Sequence, residues 1–216
     1  MNGFVSFASS GTSTMRWRLR AATATAHERM HAHAGFGAAA AGTIEAPDYR
    51  RLLARLYGFH RPFEDIARSA ADVFRVDLDV SARARSPLLL ADLQTIGLDP
   101  SAAGTLPLWR PSVRLKSKGS LLGALYVLEG STLGGVQIAR ALKDRVGSDL
   151  GNALLFFVGR GERQGAMWRE LVEELESFRE DDEEAMRAED AAVMTFKAFE
   201  NWMAGWRTEL TPRRRL

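Results

Sequence analysis

The chain predicts a single all-α domain, and three observations carry that expectation. Apolar residues recur at three- and four-residue spacing through most of its length. The one apolar run short enough to pass for a strand, Leu154-Leu-Phe-Phe-Val158, has no second strand to pair with and reads as a buried turn or extended connector. No internal repeat or low-complexity linker divides the 216 residues, which suffice for one domain with a sizeable core.

Taken in order, residues 1–14 are rich in Ser, Thr and Gly and read as a mobile tail, with Met15 an alternative start. An alanine-rich helix is expected over 16–34. Pro47-Asp48 opens a second, with Asp48 as its N-cap and Leu52, Leu53, Leu56, Phe59 and Phe63 on the apolar side. Pro62 should kink or end it. Ser86-Pro87 starts a short helix to about residue 96, and residues 104–117, with Pro107 and Pro111, should be irregular. A glycine-bearing helix follows over 120–146, then amphipathic helices over 162–178 and 182–206. That makes seven or eight helices in a domain spanning 15–207. The acidic run from Glu173 to Glu184 reads as a solvated face and turn. Residues 208–216 read as a basic tail.

Composition removes several function classes. Hydrophobic residues make up 46% and charged residues 26%, an ordinary globular balance. Formal net charge is only +2, with no interleaved basic and aromatic stripe, so nucleic acid is not an expected partner. There is no cysteine, which excludes disulfides, thiolate metal sites and a cysteine nucleophile, and fits a reducing cytoplasm. No apolar run reaches the ~18 residues of a membrane span, and the N-terminus lacks the basic and apolar regions of a signal peptide.

The glycine helix is the most informative segment. Gly123, Gly130, Gly134 and Gly135 oppose helix formation by roughly 3–4 kcal/mol together, yet Leu121, Leu125, Leu128, Val136, Ala139 and Leu142 keep a helical spacing. Gly123, Gly130 and Gly134 lie seven and four residues apart and share a face. Either something flat or bulky lies against that backbone, or another helix packs closely on it.

Three of the four histidines fall in His27-Glu-Arg-Met-His31-Ala-His33. Residues 27–31 match the H-E-x-x-H pattern of zinc hydrolases, in which two imidazoles one turn apart share a metal. The downstream sequence offers no convincing third ligand. The competing chemistry uses His27 alone as an axial ligand of haem iron, with Arg20 on the same helical face about 10 Å away to meet a propionate.

Together the two helices resemble the haem oxygenase family, most closely the bacterial biliverdin-producing members, including those that accompany bacteriophytochromes. Leu19-Arg-Ala-Ala-Thr-Ala-Thr-Ala-His27-Glu resembles the family's proximal helix, and Tyr126-Val-Leu-Glu-Gly130-Ser-Thr-Leu-Gly134-Gly135 its glycine-rich distal helix. The similarity continues through Leu56-Tyr-Gly-Phe-His60, Pro87-Leu-Leu-Leu-Ala-Asp-Leu93, Gly161-Glu-Arg-Gln-Gly-Ala-Met-Trp168 and Ala192-Val-Met-Thr-Phe-Lys-Ala-Phe199, in family order over about 16–206.

The resemblance implies haem bound between the two helices as both cofactor and substrate. His27 is then the iron ligand, and Arg20, Tyr126, Arg169 and Arg163 are candidates for the propionate edge. Phe196 and Phe199 line the pocket, and Gly130, Ser131, Gly134 and Gly135 form the distal wall. It further implies O2 as co-substrate, an external electron donor such as a ferredoxin or another reductase, and biliverdin, CO and ferrous iron as products. A bacteriophytochrome is a candidate acceptor of the biliverdin. Two departures stand out: Ser131 occupies a place where many members carry aspartate, and His31 one where many carry glutamate. They leave open a non-catalytic haem or biliverdin carrier on the same fold, beside the zinc-hydrolase reading of the histidine pair.

Overall fold

Whether a helical chain has room for a ligand depends on how closely its helices approach, and here glycine sets that distance. The computed structural model describes residues 14–145, 150, 152–179 and 182–207. Eight α-helices are found among them: α1 (Met15–His31), α2 (Ala34–Ala40), α3 (Ala46–Phe74), α4 (Ser86–Thr95), α5 (Lys118–Ala141), α6 (Leu155–Val158), α7 (Glu162–Glu176) and α8 (Glu183–Met203). Two short 3-10 turns, Pro100–Thr105 and Lys143–Arg145, join them, and the described residues contain no strand. Residues 1–13 and 208–216, read from sequence as tails, lie outside the described residues.

Helix α8 is the spine. Its alanines Ala185, Ala188, Ala191 and Ala192 are buried, and α5 lies on them. A Cβ on Gly123 would overlap the Ala188 carbonyl, and one on Gly119 the Glu184 carbonyl, so the two backbones touch. The Glu184 carboxylate also accepts the Gly119 N–H. Contacts advancing together along both helices make α5 and α8 parallel.

Helix α1 lies on another flank of α8. It buries Met15, Leu19 and Thr23 and is held by ion pairs from Arg18 to Glu189 and from Arg29 to Glu200, the latter through bonds of 2.6 and 2.9 Å. Its own N-terminus has no side-chain cap. The Glu176 carboxylate at the end of α7 supplies one, accepting the Met15 and Arg16 N–H groups at 2.9 and 3.0 Å. Helices α2, α4, α6 and the first half of α3 enclose a second apolar cluster around Tyr49, Leu52, Leu53, Leu89 and Phe157.

Several expectations change on folding. Helix α1 ends at His31, and His33 caps a separate α2 by accepting the Gly35 N–H at 3.2 Å. Glu45 stands at the α3 N-cap, while Asp48 is inside the first turn and pairs with Arg51 and Arg207. Pro62 does not end α3, which continues to Phe74. Proline removes the N–H that would bond the Gly58 carbonyl four residues back; Trp109 N–H donates to that carbonyl instead, at 2.8 Å. Gly58 permits this approach, because a Cβ there would overlap the Pro107 carbonyl.

The apolar run at 154–158 is a one-turn helix and not an extended connector. Both oxygens of the buried Asp92 accept its first amides, Leu155 N–H and Phe156 N–H, at 2.8 Å. The glycine helix ends at Ala141, short of 146. By length and composition α5 is the one described helix apolar enough to cross a membrane, and its residues form the middle of the core.

Gly123→Ala should therefore destabilise the fold despite alanine's better helix propensity. The overpacking against Ala188 costs about 1–3 kcal/mol against a gain of roughly 1 kcal/mol, and chemical denaturation should show a net loss.

Candidate functional site

The side of α1 next to its buried face carries Arg16, Arg20, His27 and His31. The His27 and His31 rings meet edge to face with centroids 4.5 Å apart, and the Phe196 ring of α8 approaches His27 edge-on at 6.4 Å. Partial burial holds the His27 imidazole below the ordinary value of 6.5, and the neighbouring His31 and Arg20 push it further the same way. The imidazole is neutral at pH 7, the form that ligates a metal.

Across from α1, the half-buried Tyr126 of α5 packs its ring 5.4 Å from that of Trp168 on α7. Burial raises the Tyr126 hydroxyl, while the guanidinium charges of Arg16 and Arg20 oppose that rise. Those two arginines and Tyr126 therefore converge at one end of the gap between α1 and α5. The Arg20 guanidinium also lies over the Trp17 ring at 5.1 Å.

The glycines of α5 divide into two groups. Gly123 is consumed by the α8 contact, and a Cβ on Gly135 would stand 3.0 Å from the Phe157 carbonyl of α6. Gly130 and Gly134 have no such partner. A Cβ on Gly130 would meet only the Trp168 ring, at 3.7 Å, and one on Gly134 nothing within 4 Å. The chain gives up about 1 kcal/mol of helix propensity at each of these two positions without using the space for its own packing. The α5–α8 register, carried eight residues past Gly123 and Ala188, brings Gly130 and Ser131 to the height of Phe196, and hence of His27. Gly123 thus follows the helix-packing alternative, whereas Gly130 and Gly134 are not taken up by another helix backbone.

The hydroxyls beside Gly130 turn back onto the helix. Ser131 Oγ donates to the Leu128 carbonyl and Thr132 Oγ1 to the Glu129 carbonyl, each at 2.6 Å. Behind this stretch lies a buried charged cluster. Arg83 bonds both oxygens of Glu129 at 2.6 and 2.7 Å. Glu64 accepts the Arg85 and Ser86 N–H groups at 2.6 and 2.8 Å. Burial pushes Arg85 down to about 9 and His60 to about 3, so His60 is a neutral member of the cluster.

Of the residues expected from sequence, His27 and Phe196 are in ring contact, and the charge of Arg20 reaches both His27 and Tyr126; Gly130, Ser131 and Gly134 share α5 with Tyr126. Phe199 points toward Phe59, with ring centroids 5.0 Å apart, and joins the two core clusters. Gly135 faces α6. Arg163 and Arg169 are exposed on α7, with Arg163 close enough to Arg160 to influence its charge. Sequence reasoning missed Arg16 and Trp168 as site residues. Arg16 was legible as the residue one turn before Arg20, but Trp168 had no local signal, since its role comes from α7 crossing α5 at Gly130. The His27–His31 pair gains no third ligand, for no cluster of three or more His, Asp or Glu suited to a metal exists among the described residues. His33 serves as a helix cap and bonds the Met203 carbonyl.

A neutral histidine beside Phe196, with Arg16, Arg20 and Tyr126 grouped nearby and the α5 backbone left open at Gly130 and Gly134, suits a helical haem-binding protein. The residues fit haem on the evidence of the two glycines: a flat group has space against α5 that a side chain would fill. Comparison with known proteins agrees. The family model for heme oxygenase matches residues 13–205. The chain is 33% identical over 141 residues to a heme oxygenase of Xanthomonas campestris pv. campestris (strain 8004), covering 64% of this chain and 78% of that protein. Its fold is similar to that of the NO- and CO-bound heme oxygenase from Neisseria meningitidis, with a TM-score of 0.66 and 18% identity over 94% of this chain and 98% of that one. The chain belongs to the haem oxygenase family: it is an enzyme of the haem-degrading type on an all-helical fold.

Two outcomes follow for the haem-free protein. Gly134→Ala should stabilise it by about 0.5–1 kcal/mol, the opposite sign to Gly123→Ala, as thermal denaturation will show. The His27 imidazole should titrate below 6.5, so the stability it contributes is complete above that pH and falls as pH drops below it. His31→Ala should move the midpoint only part of the way back, because burial is the larger cause; an NMR titration reads both.

Proposed function

We propose that the enzyme cleaves haem with O2 and reducing equivalents to biliverdin, CO and ferrous iron, haem being both cofactor and substrate. The observation that carries this reading is the open backbone at Gly130 and Gly134, in the stretch of α5 level with Phe196 and so with His27. Space at those two positions would admit a small co-substrate such as O2 beside a bound haem. When bound, the haem supplies the oxygen-activating iron and the carbon ring that is opened.

The protein's own residues bind, orient and control water. His27, neutral at pH 7, would hold the iron from α1. Arg16, Arg20 and Tyr126 would receive the propionates, and Arg169 and Arg163 on α7 would extend the cationic surface further out. Phe196 packs beside the ligand histidine, and close backbone at Gly130 and Gly134 excludes bulk water from the distal side. The Ser131 hydroxyl has its proton engaged with the Leu128 carbonyl, so it presents lone pairs and accepts a hydrogen bond from a water there.

The chain contains no flavin or nucleotide motif, so electrons come from a separate ferredoxin or other reductase. We assign the enzyme to the cytoplasm, with a bacteriophytochrome as a candidate acceptor of biliverdin. The engaged Ser131 proton also favours one rival, a haem or biliverdin carrier, because that hydroxyl cannot donate to a ligand on iron without breaking its helix bond.

Haemin titration followed by ascorbate, or by ferredoxin and its reductase, with catalase present, separates the two readings. Stoichiometric histidine-ligated haem that decays to biliverdin supports the oxygenase, and stable haem under every donor supports the carrier. His27→Ala should abolish or alter the iron-ligand spectrum. Gly134→Leu should lower turnover by at least roughly tenfold through the filled distal space; full activity in that variant would remove the close-backbone argument.

A further inference from the structure

Arg83 lies between α3 and α4 and is 6% exposed. One of its terminal nitrogens donates to both carboxylate oxygens of Glu129 and, at 2.9 Å, to the Met167 carbonyl; the other donates to Glu170 at 2.8 Å. A single side chain thus ties α5 to α7. Its Nε is buried without a protein partner. With His60, Glu64, Arg85 and Glu129 it lines a cavity of about 20 Å³, room for one water.

The two tied points adjoin the site. Glu129 immediately precedes Gly130, and Met167 immediately precedes Trp168, the one side chain near Gly130. Beyond Glu129, α5 is intrinsically weak. Three glycines fall within six residues, and Ser131 and Thr132 bond carbonyls three residues back, a pattern that loosens and bends helices. The next close packing is Gly135 against Phe157. The span over the open gap is held at one end by α6 and at the other by Arg83.

We infer that Arg83 and Glu129 are positioning residues: the clamp fixes where α5 enters its glycine stretch, and so sets the height of Gly130 and Gly134 above His27 and the seating of haem between them. Neither residue touches the ligand in this account. The buried pair tolerates loss of one partner poorly, because the other charge is left uncompensated. The inference rests on the haem-cleaving reading for its second set of measurements alone.

Glu129→Gln, which keeps shape and one acceptor oxygen, and Arg83→Lys, which keeps charge but cannot span both helices, are the test variants. In haem-free protein, amide hydrogen exchange over residues 130–135 should quicken about tenfold or more, with α3 and α8 unchanged. In haemin-loaded protein the C–O stretch of the carbon monoxide complex should shift or broaden, and the ratio of biliverdin isomers should change, at temperatures where the variants remain fully folded. Arg83→Lys should retain more wild-type character than Arg83→Met.

Unchanged exchange over 130–135, or faster exchange spread equally over all helices, would overturn the clamp. An unaltered C–O band and isomer ratio would overturn its role in seating haem. Should the wild-type protein bind no haem, the oxygenase reading fails, while the exchange measurement still decides the clamp.

Discussion

Backbone contact between α5 and α8 is the constraint on which the rest of the structure depends. Gly119 and Gly123 let α5 lie directly on the carbonyls of Glu184 and Ala188, and the buried alanines of α8 keep that side thin. With α5 anchored on one flank of the spine, α1 is stapled to another by Arg18–Glu189 and Arg29–Glu200. The two helices grip a common third, with His27 of α1 beside Phe196 of α8 and the α5 backbone left open at Gly130. Side chains at positions 119 and 123 would push α5 outward from α8.

Glycine is used in two opposite senses within one helix. At 119 and 123 it removes volume so that protein can enter, whereas at 130 and 134 it leaves volume that protein does not enter. The helix propensity lost is alike in all four cases, so its local cost does not distinguish them. Only the neighbours do: Ala188 and Glu184 in the first pair, open space and the edge of Trp168 in the second. The same economy is seen in α3, where the Gly58 carbonyl orphaned by Pro62 is taken up by Trp109 from a distant loop.

Charge is also sorted by the fold. Arg16 and Arg20 of α1 are close enough to Tyr126 of α5 to act on its hydroxyl. Behind α5, Arg83, Arg85, Glu64 and a neutral His60 are buried together, with the part-buried Glu129 paired to Arg83. Partnered charges of this kind hold a specific geometry while adding little net stability, which suits a helix whose own residues cannot fix its course.

The sequence by itself determined the all-helical class, most helix bounds, and membership of the haem oxygenase family through residues that share one element: Arg20 and His27 on α1, and Tyr126, Gly130, Ser131 and Gly134 on α5. Helical periodicity and spacing are local, so they survive without tertiary information. The continuity of α3 through Pro62, the helical turn capped by Asp92 and the break before α2 were not legible, because each is settled by a hydrogen bond or packing contact that local periodicity does not reveal. Nor were Arg16 beside Tyr126, Trp168 beneath Gly130, and the Arg83–Glu129 clamp. Those depend on where separate helices cross, and crossing distance is decided only when backbones meet at Gly119 and Gly123.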